Sequence, residues 1–216
     1  MKKMEKQKEI RSYNNFEIRK IGEGEEKQIH IQGYALTFDT ISEDLGFKET
    51  IRKSALDSCD LSDVVLNFNH DNDKILARNT KNEGVGSLKL TIDDKGLFFD
   101  AIPTNTTYAR DLIENMENGI IGKCSFAFCL DWNDDTTQSW DWDDGTRGYD
   151  FRTINKIAKI SDCSIVVNPA YESTSSTIYK RAKELDSEVR GKAQIEKDLL
   201  GLKTDLELIK ISNELL

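Results

Sequence analysis

From Phe16 onward the apolar positions alternate with polar ones in short runs, the period of strands that bury one face. FEIRKI at 16–21 and QIHIQGYALTF at 28–38 are the first two such runs. Gly33 inside the second marks a bulge or a close backbone approach. KSALDS at 53–58 predicts a short helix or turn, and DVVLNFNH at 63–70 predicts a strand that ends in His70 and runs into the turn-forming DNDK. SLKLTID and KGLFFDAI are two further strands, joined through Asp93-Asp94-Lys95-Gly96, where Asp and Gly tolerate positive φ.

The period then changes. YARDLIENMEN at 108–118 sets Tyr108, Leu112, Ile113 and Met116 on one helical face, with N-cap hydroxyls among Thr104 to Thr107 and Gly119 as the residue that closes the helix. IIGKCSFAFCL follows as a strongly apolar strand in which Ser125 is the only hydroxyl, and FRTINKIAKISDCSIVV resumes the strand pattern up to Asn168-Pro169. Between them, Asp131 to Asp150 form an acidic, tryptophan-rich insertion. It lacks the spaced ligands and terminal glutamate of an EF-hand loop, so a hairpin turning at Asp144-Gly145 is expected rather than a calcium site. Many strands with one clear helix give an α+β class.

The ends differ from this middle. Residues 1–14 are rich in Lys and Glu with no apolar period and are expected to be a flexible tail. Residues 15–180 form the expected domain. Residues 181–216 are charged and helical, and Ile195, Leu199, Leu202, Leu206 and Ile209 recur at coiled-coil spacing, a seam that wants a partner helix.

Composition narrows the classes of function. Of 216 residues 32% are charged, with a formal net charge of −9 and no basic stripe, which works against nucleic-acid binding. No run approaches the length of a membrane span and the N-terminus lacks the apolar core of a signal peptide, so a cytosolic protein without a membrane role is expected. Cys59, Cys124, Cys129 and Cys163 have no paired spacing, and His30 and His70 are the only histidines; neither a disulfide, a zinc site nor any other cofactor is expected.

The scarcity of histidine focuses the search for chemistry. A serine hydroxyl needs a neighbouring base to take its proton, usually imidazole, and a third group to orient that base. His70 at a strand end, Ser125 within a strand and Asp162 in ISDCSIVV are one candidate set. Spacing alone leaves a plain structural alternative: His70 capping a turn, Ser125 bonded to backbone, and Asp162 paired with a lysine such as Lys159. Cys124 is a rival nucleophile, but strand alternation sends its side chain to the face opposite Ser125.

Six stretches in order extend the comparison beyond single residues: GYALTF at 33–38, GFKETIRKSAL at 46–56, LNFNHD at 66–71, KGLFFDAIPT at 95–104, ENGIIGKCSFAF at 117–128 and ISDCSIVVNPAYEST at 160–174. In these the chain resembles the prohead protease family of tailed bacteriophages, the HK97-type serine proteases of capsid maturation, which are similar in fold to herpesvirus assemblins. The resemblance implies a mainly antiparallel, β-barrel-like core with surrounding helices. It places the family's catalytic His and Ser on His70 and Ser125, and an acidic third member on Asp162. The assemblins use a second histidine there, which leaves His30 as the alternative. Two small departures are Ala77 and Ala127, where the family commonly carries glycine.

The implied activity is that of a serine endopeptidase in the host cytoplasm, inside the assembling procapsid. Its substrate would be scaffold or major capsid protein, with self-cleavage and self-association through the C-terminal helix as further implications. The alternative of another class is a non-enzymatic assembly factor built on a degenerate protease domain.

Overall fold

The computed structural model describes residues 8–13, 16–21, 28–167, 179, 182–184 and 186–200. The chain divides into two compact units, 1–174 and 175–216. In the second, residues 186–200 are helical, with Val189, Ile195, Leu199 and Leu200 exposed. Leu202, Leu206 and Ile209 lie outside the described residues.

Among the described residues the first unit holds three sheets. In the largest, β1 (Lys8–Tyr13), β9 (Lys123–Cys129), β12 (Lys159–Val166), β5 (Val65–Phe68) and β6 (Asp71–Arg78) lie side by side in that order. A four-stranded sheet runs β2 (Phe16–Ile21), β3 (Gln28–Thr37), β8 (Gly96–Ala101), β7 (Leu88–Ile92). A three-stranded one runs β10 (Gln138–Asp141), β11 (Phe151–Ile154), β4 (Lys48–Ile51). The one long helix described in this unit, α1 (Thr107–Glu117), buries Ala109, Leu112, Ile113 and Met116, and the Tyr108 hydroxyl ties it to β6 by donating to the Ile75 carbonyl at 2.6 Å.

The α+β class stands, but the barrel-like core does not: among the described residues the sheets are open, and none closes on itself. Closure needs one unbroken hydrogen-bonded circuit with a consistent stagger. Here the largest ladder ends at β1 on one side and β6 on the other, and its pairings are mixed, with β12 parallel to β5; in the three-stranded sheet β11 is likewise parallel to β4. A second expectation also changes. Lys8–Tyr13, part of the stretch expected to be a flexible tail, is a strand paired along its whole length with β9.

Alternation builds the core between these sheets. On β9, Cys124, Phe126 and Phe128 face inward with Ile31, Leu36, Leu66 and Phe99, and the Phe126 and Phe128 rings stack at 5.1 Å. Ser125 and Ala127 therefore point to the other face. The β3–β8 pair carries a bulge near Tyr34 and Leu36, and there Gly96 allows the backbones to meet: a Cβ on Gly96 would sit 2.0 Å from the Leu36 carbonyl oxygen. Since the obstacle is backbone on a central strand, Gly96→Ala should cost about 3 kcal/mol in urea denaturation, at the upper end for overpacked sites.

Candidate active site

The hairpin between β5 and β6 turns on two residues, Asn69 and His70, with φ of 54° and 57°. Two consecutive positive φ values are the pattern of a type I′ turn, which favours Asn-Gly. Asn tolerates this backbone; histidine at the second position is held there against its preference, a pattern that clusters at functional sites. Contacts from β12 hold the turn. The Asn69 N–H donates to the Ile165 carbonyl at 2.8 Å, and the His70 N–H donates to Ser164 Oγ at 2.8 Å.

The imidazole then reaches back over the sheet. Ser164 of β12 lies directly opposite Ser125 of β9, and Asp162 opposite Ala127, so all these side chains leave the same face. His70 Nδ1 lies 2.5 Å from Asp162 Oδ1 and its Nε2 lies 2.8 Å from Ser125 Oγ. The three residues thus form a continuous hydrogen-bonded line drawn from a turn and two adjacent strands, 92 and 55 positions apart along the chain.

Burial sharpens the electrostatics. The Asp162 side chain is 2% exposed and that of His70 10%. Burial alone would push the Asp162 carboxyl up, but the His70 hydrogen bond and Lys8, whose Nζ lies 2.7 Å from Oδ2, together hold it below its ordinary value. Asp162 is therefore a carboxylate, the form that accepts the hydrogen bond from Nδ1–H. Cys124 is excluded as a rival: it belongs to the core on the opposite face, and burial pushes its thiol up to about 12.

The alternatives raised by the sequence go elsewhere. His30 pairs with Asp100 at 2.7 Å within the β2–β3–β8–β7 sheet, so it is not the third member of this line. Lys159 pairs with Asp60 at 3.2 Å, not with Asp162.

Two contributions come from the N-terminal strand and carry no motif. Lys8 bonds to Asp162, and the Ser125 hydroxyl also lies 2.8 Å from the Arg11 carbonyl oxygen. On the other face of β1, Glu9 and Arg11 enter a fully buried cluster with Glu49 of β4 and Arg152 of β11. Arg152 grips Glu9 through its two terminal nitrogens at 2.6 and 2.9 Å and touches Glu49 at 3.2 Å; Arg11 bonds to Glu49 and, at 3.0 Å, to Glu9. Alternating polar residues in a short charged segment look solvent-facing in a sequence, and only the arrival of β4 and β11 makes them a core.

Burial would raise the Glu9 carboxyl, yet Arg152 and Arg11 outweigh it and hold the group below its ordinary 4.5. Because the folded pKa is the lower one, this contribution to stability is complete above the unfolded value and is lost as the pH falls through the folded one. Asp162 acts in the same direction from 3.8. Denaturation of the wild type from pH 6 to pH 3 should therefore show stability falling below about pH 4.5, with a shallower fall for Glu9→Gln.

Comparison with known proteins bears on the family of the chain. The model of the caudovirus prohead serine protease family matches residues 14–189. The chain belongs to that family. Among solved structures, the bacteriophage T4 capsid assembly protease, gp21, matches with a TM-score of 0.49 at 13% identity, covering 77% of this chain and 100% of that one. No curated protein matches the chain by sequence. Membership agrees with a serine as the group of interest, and His70, Ser125 and Asp162 all lie within the matched stretch. Among the described residues no helix is long and apolar enough to cross a membrane.

Proposed function

We propose that this chain is a serine endopeptidase of prohead maturation, with Ser125 as nucleophile, His70 as general base and Asp162 as the residue that orients and stabilises His70. The observation that carries this is the single imidazole bonded on one side to Asp162 and on the other to Ser125. With Nδ1–H donated to the carboxylate, Nε2 is left with its lone pair toward the serine proton. His70 takes that proton as Oγ attacks the substrate carbonyl carbon. The tetrahedral intermediate collapses when the imidazolium returns the proton to the leaving amine, and water then repeats the sequence on the acyl-enzyme. Asp162 stays ionised throughout and offsets the charge that forms on the ring.

The substrate in this reading is scaffold or major capsid protein within the procapsid of the infected host cell. Self-cleavage and self-association through the 186–200 helix are part of the same reading. Co-expression with the neighbouring capsid gene, followed by mass measurement of the products, tests it. Discrete fragments that disappear with Ser125→Ala support a protease; unprocessed capsid protein in correctly assembled proheads supports the rival.

That rival, a non-enzymatic assembly factor on a degenerate protease domain, is favoured by one observation: Ser125 is fully buried.

A further inference from the structure

A nucleophile with no exposed surface cannot meet a peptide, so something must move before Ser125 reacts. The element beside it is β1, the outermost strand of the five-stranded sheet, which runs antiparallel to β9 with Ser12 opposite Ser125. Without β1, β9 would be an edge strand offering its unpaired N–H and C=O groups along the line of the nucleophile. An extended polypeptide can add to such an edge through the same backbone bonds that β1 now makes.

The contact β1 makes with the serine is not one that leads to cleavage. Ser125 has one hydroxyl proton, and two acceptors at 2.8 Å compete for it, His70 Nε2 and the Arg11 carbonyl oxygen. A proton donated to Arg11 is withheld from the base. In a productive complex the carbonyl oxygen faces fixed donors that hold the developing oxyanion; here the Arg11 oxygen faces the nucleophile's own hydroxyl. Lys8 of the same strand holds the outer oxygen of Asp162. One strand thus touches two of the three members of the site.

The charges that dock β1 also permit its departure. The buried cluster has two residues from β1, Glu9 and Arg11, and two from the rest of the domain, Glu49 and Arg152. Each half is neutral by itself. When β1 leaves, Glu9 and Arg11 reach water together, and Glu49 and Arg152 remain bonded to each other at 3.2 Å. No buried charge is stranded, whereas stranding one is what makes breaking a buried ion pair so unfavourable.

We propose that β1 occupies the place of the substrate on the β9 edge, and that an extended polypeptide reaches Ser125 only by taking that place after β1 has left. This rests on the reading of Ser125 as nucleophile, and the test separates the two. Lys8 lies directly across from Cys129, which is in no disulfide, and antiparallel partners stand within disulfide reach. Lys8→Cys in the full chain therefore allows β1 to be locked by oxidation and released by reduction, with the loss of Lys8 constant across both states. Mass measurement reports bond formation.

The readout is the rate at which a fluorophosphonate labels Ser125. The reduced protein should label at least about tenfold faster than the oxidised one, because the rate scales with the population in which β1 is away. Equal rates in the two states overturn the proposal while leaving Ser125 as nucleophile. Glu9→Gln is the second variant and decides alone if the disulfide does not form. With β1 docked it leaves two guanidiniums against one carboxylate in the cluster, and with β1 away the Glu49–Arg152 pair is unchanged, so labelling should accelerate. Slower labelling in a protein that remains folded would mean that β1 belongs to the working enzyme, and would also overturn the proposal. Labelling of wild type at a residue other than Ser125 instead removes the underlying reading.

Discussion

Ser125→Ala, at the proposed nucleophile, is expected to abolish cleavage of the proposed scaffold or capsid substrate while leaving the protein folded, with kcat lowered by about 10⁶. The change removes an oxygen from a buried site and adds no volume. Its structural cost is the one hydrogen bond that the hydroxyl can donate, to His70 or to the Arg11 carbonyl, about 1 kcal/mol. Circular dichroism and the denaturation midpoint should therefore change little while the product bands disappear. His70→Ala should match it in activity, because a base and a nucleophile that act as a unit are not additive, and the double variant should be no slower than either single one.

The second large effect is expected at Asp162→Asn, about 10⁴ in kcat with KM largely retained. The amide has nearly the volume of the carboxylate but no charge to set against an imidazolium. It can also present an N–H toward Nδ1, which reverses the ring tautomer and turns an N–H of Nε2 toward the serine. Lys8 would lose its partner as well; since its side chain is 42% exposed, it can turn to water. A comparable loss of stability and activity would point to a structural carboxylate, whereas lost kcat in a stable protein points to the orienting role. Parallel kinetics and urea denaturation on the same preparation separate these outcomes.

The two positions differ in how far the sequence alone could take them. Ser125 sits in an alternating strand, so the face its side chain takes follows from counting, whereas Asp162 follows a register shift after Ile160 that counting does not show. The exclusion of Cys124 follows from the same count. What alternation does not carry is which strands pair. That β12 lies beside β9 in a register placing Ser164 across from Ser125, and beside β5 so that the Asn69-His70 turn is pinned over it, depends on contacts between segments far apart in the chain. The resemblance to the phage family supplied those partners indirectly, through motifs that are close in space.

The failures have a common physical origin. β1 carries Lys8, Glu9 and Arg11 in six residues, which reads as a solvated tail because charges are usually exposed. It is instead half of a neutral buried cluster whose other half comes from Glu49 and Arg152. Neither half signals the other in sequence. The barrel expectation failed similarly: each strand was visible, but open and closed sheets differ in pairing at the edges, which local pattern does not encode. His70 shows a third limit, since DNDK was expected to make the turn, whereas the positive-φ pair is Asn69-His70 and the strand β6 begins immediately at Asp71.

The most direct test of the line from Asp162 through His70 to Ser125 is the location of the covalent adduct after a fluorophosphonate is incubated with the wild type and with His70→Ala. The geometry predicts slow labelling of the wild type on the Ser125 peptide alone, and none on His70→Ala over the same period. An adduct on a different residue, or His70→Ala labelling Ser125 at the wild-type rate, would contradict it.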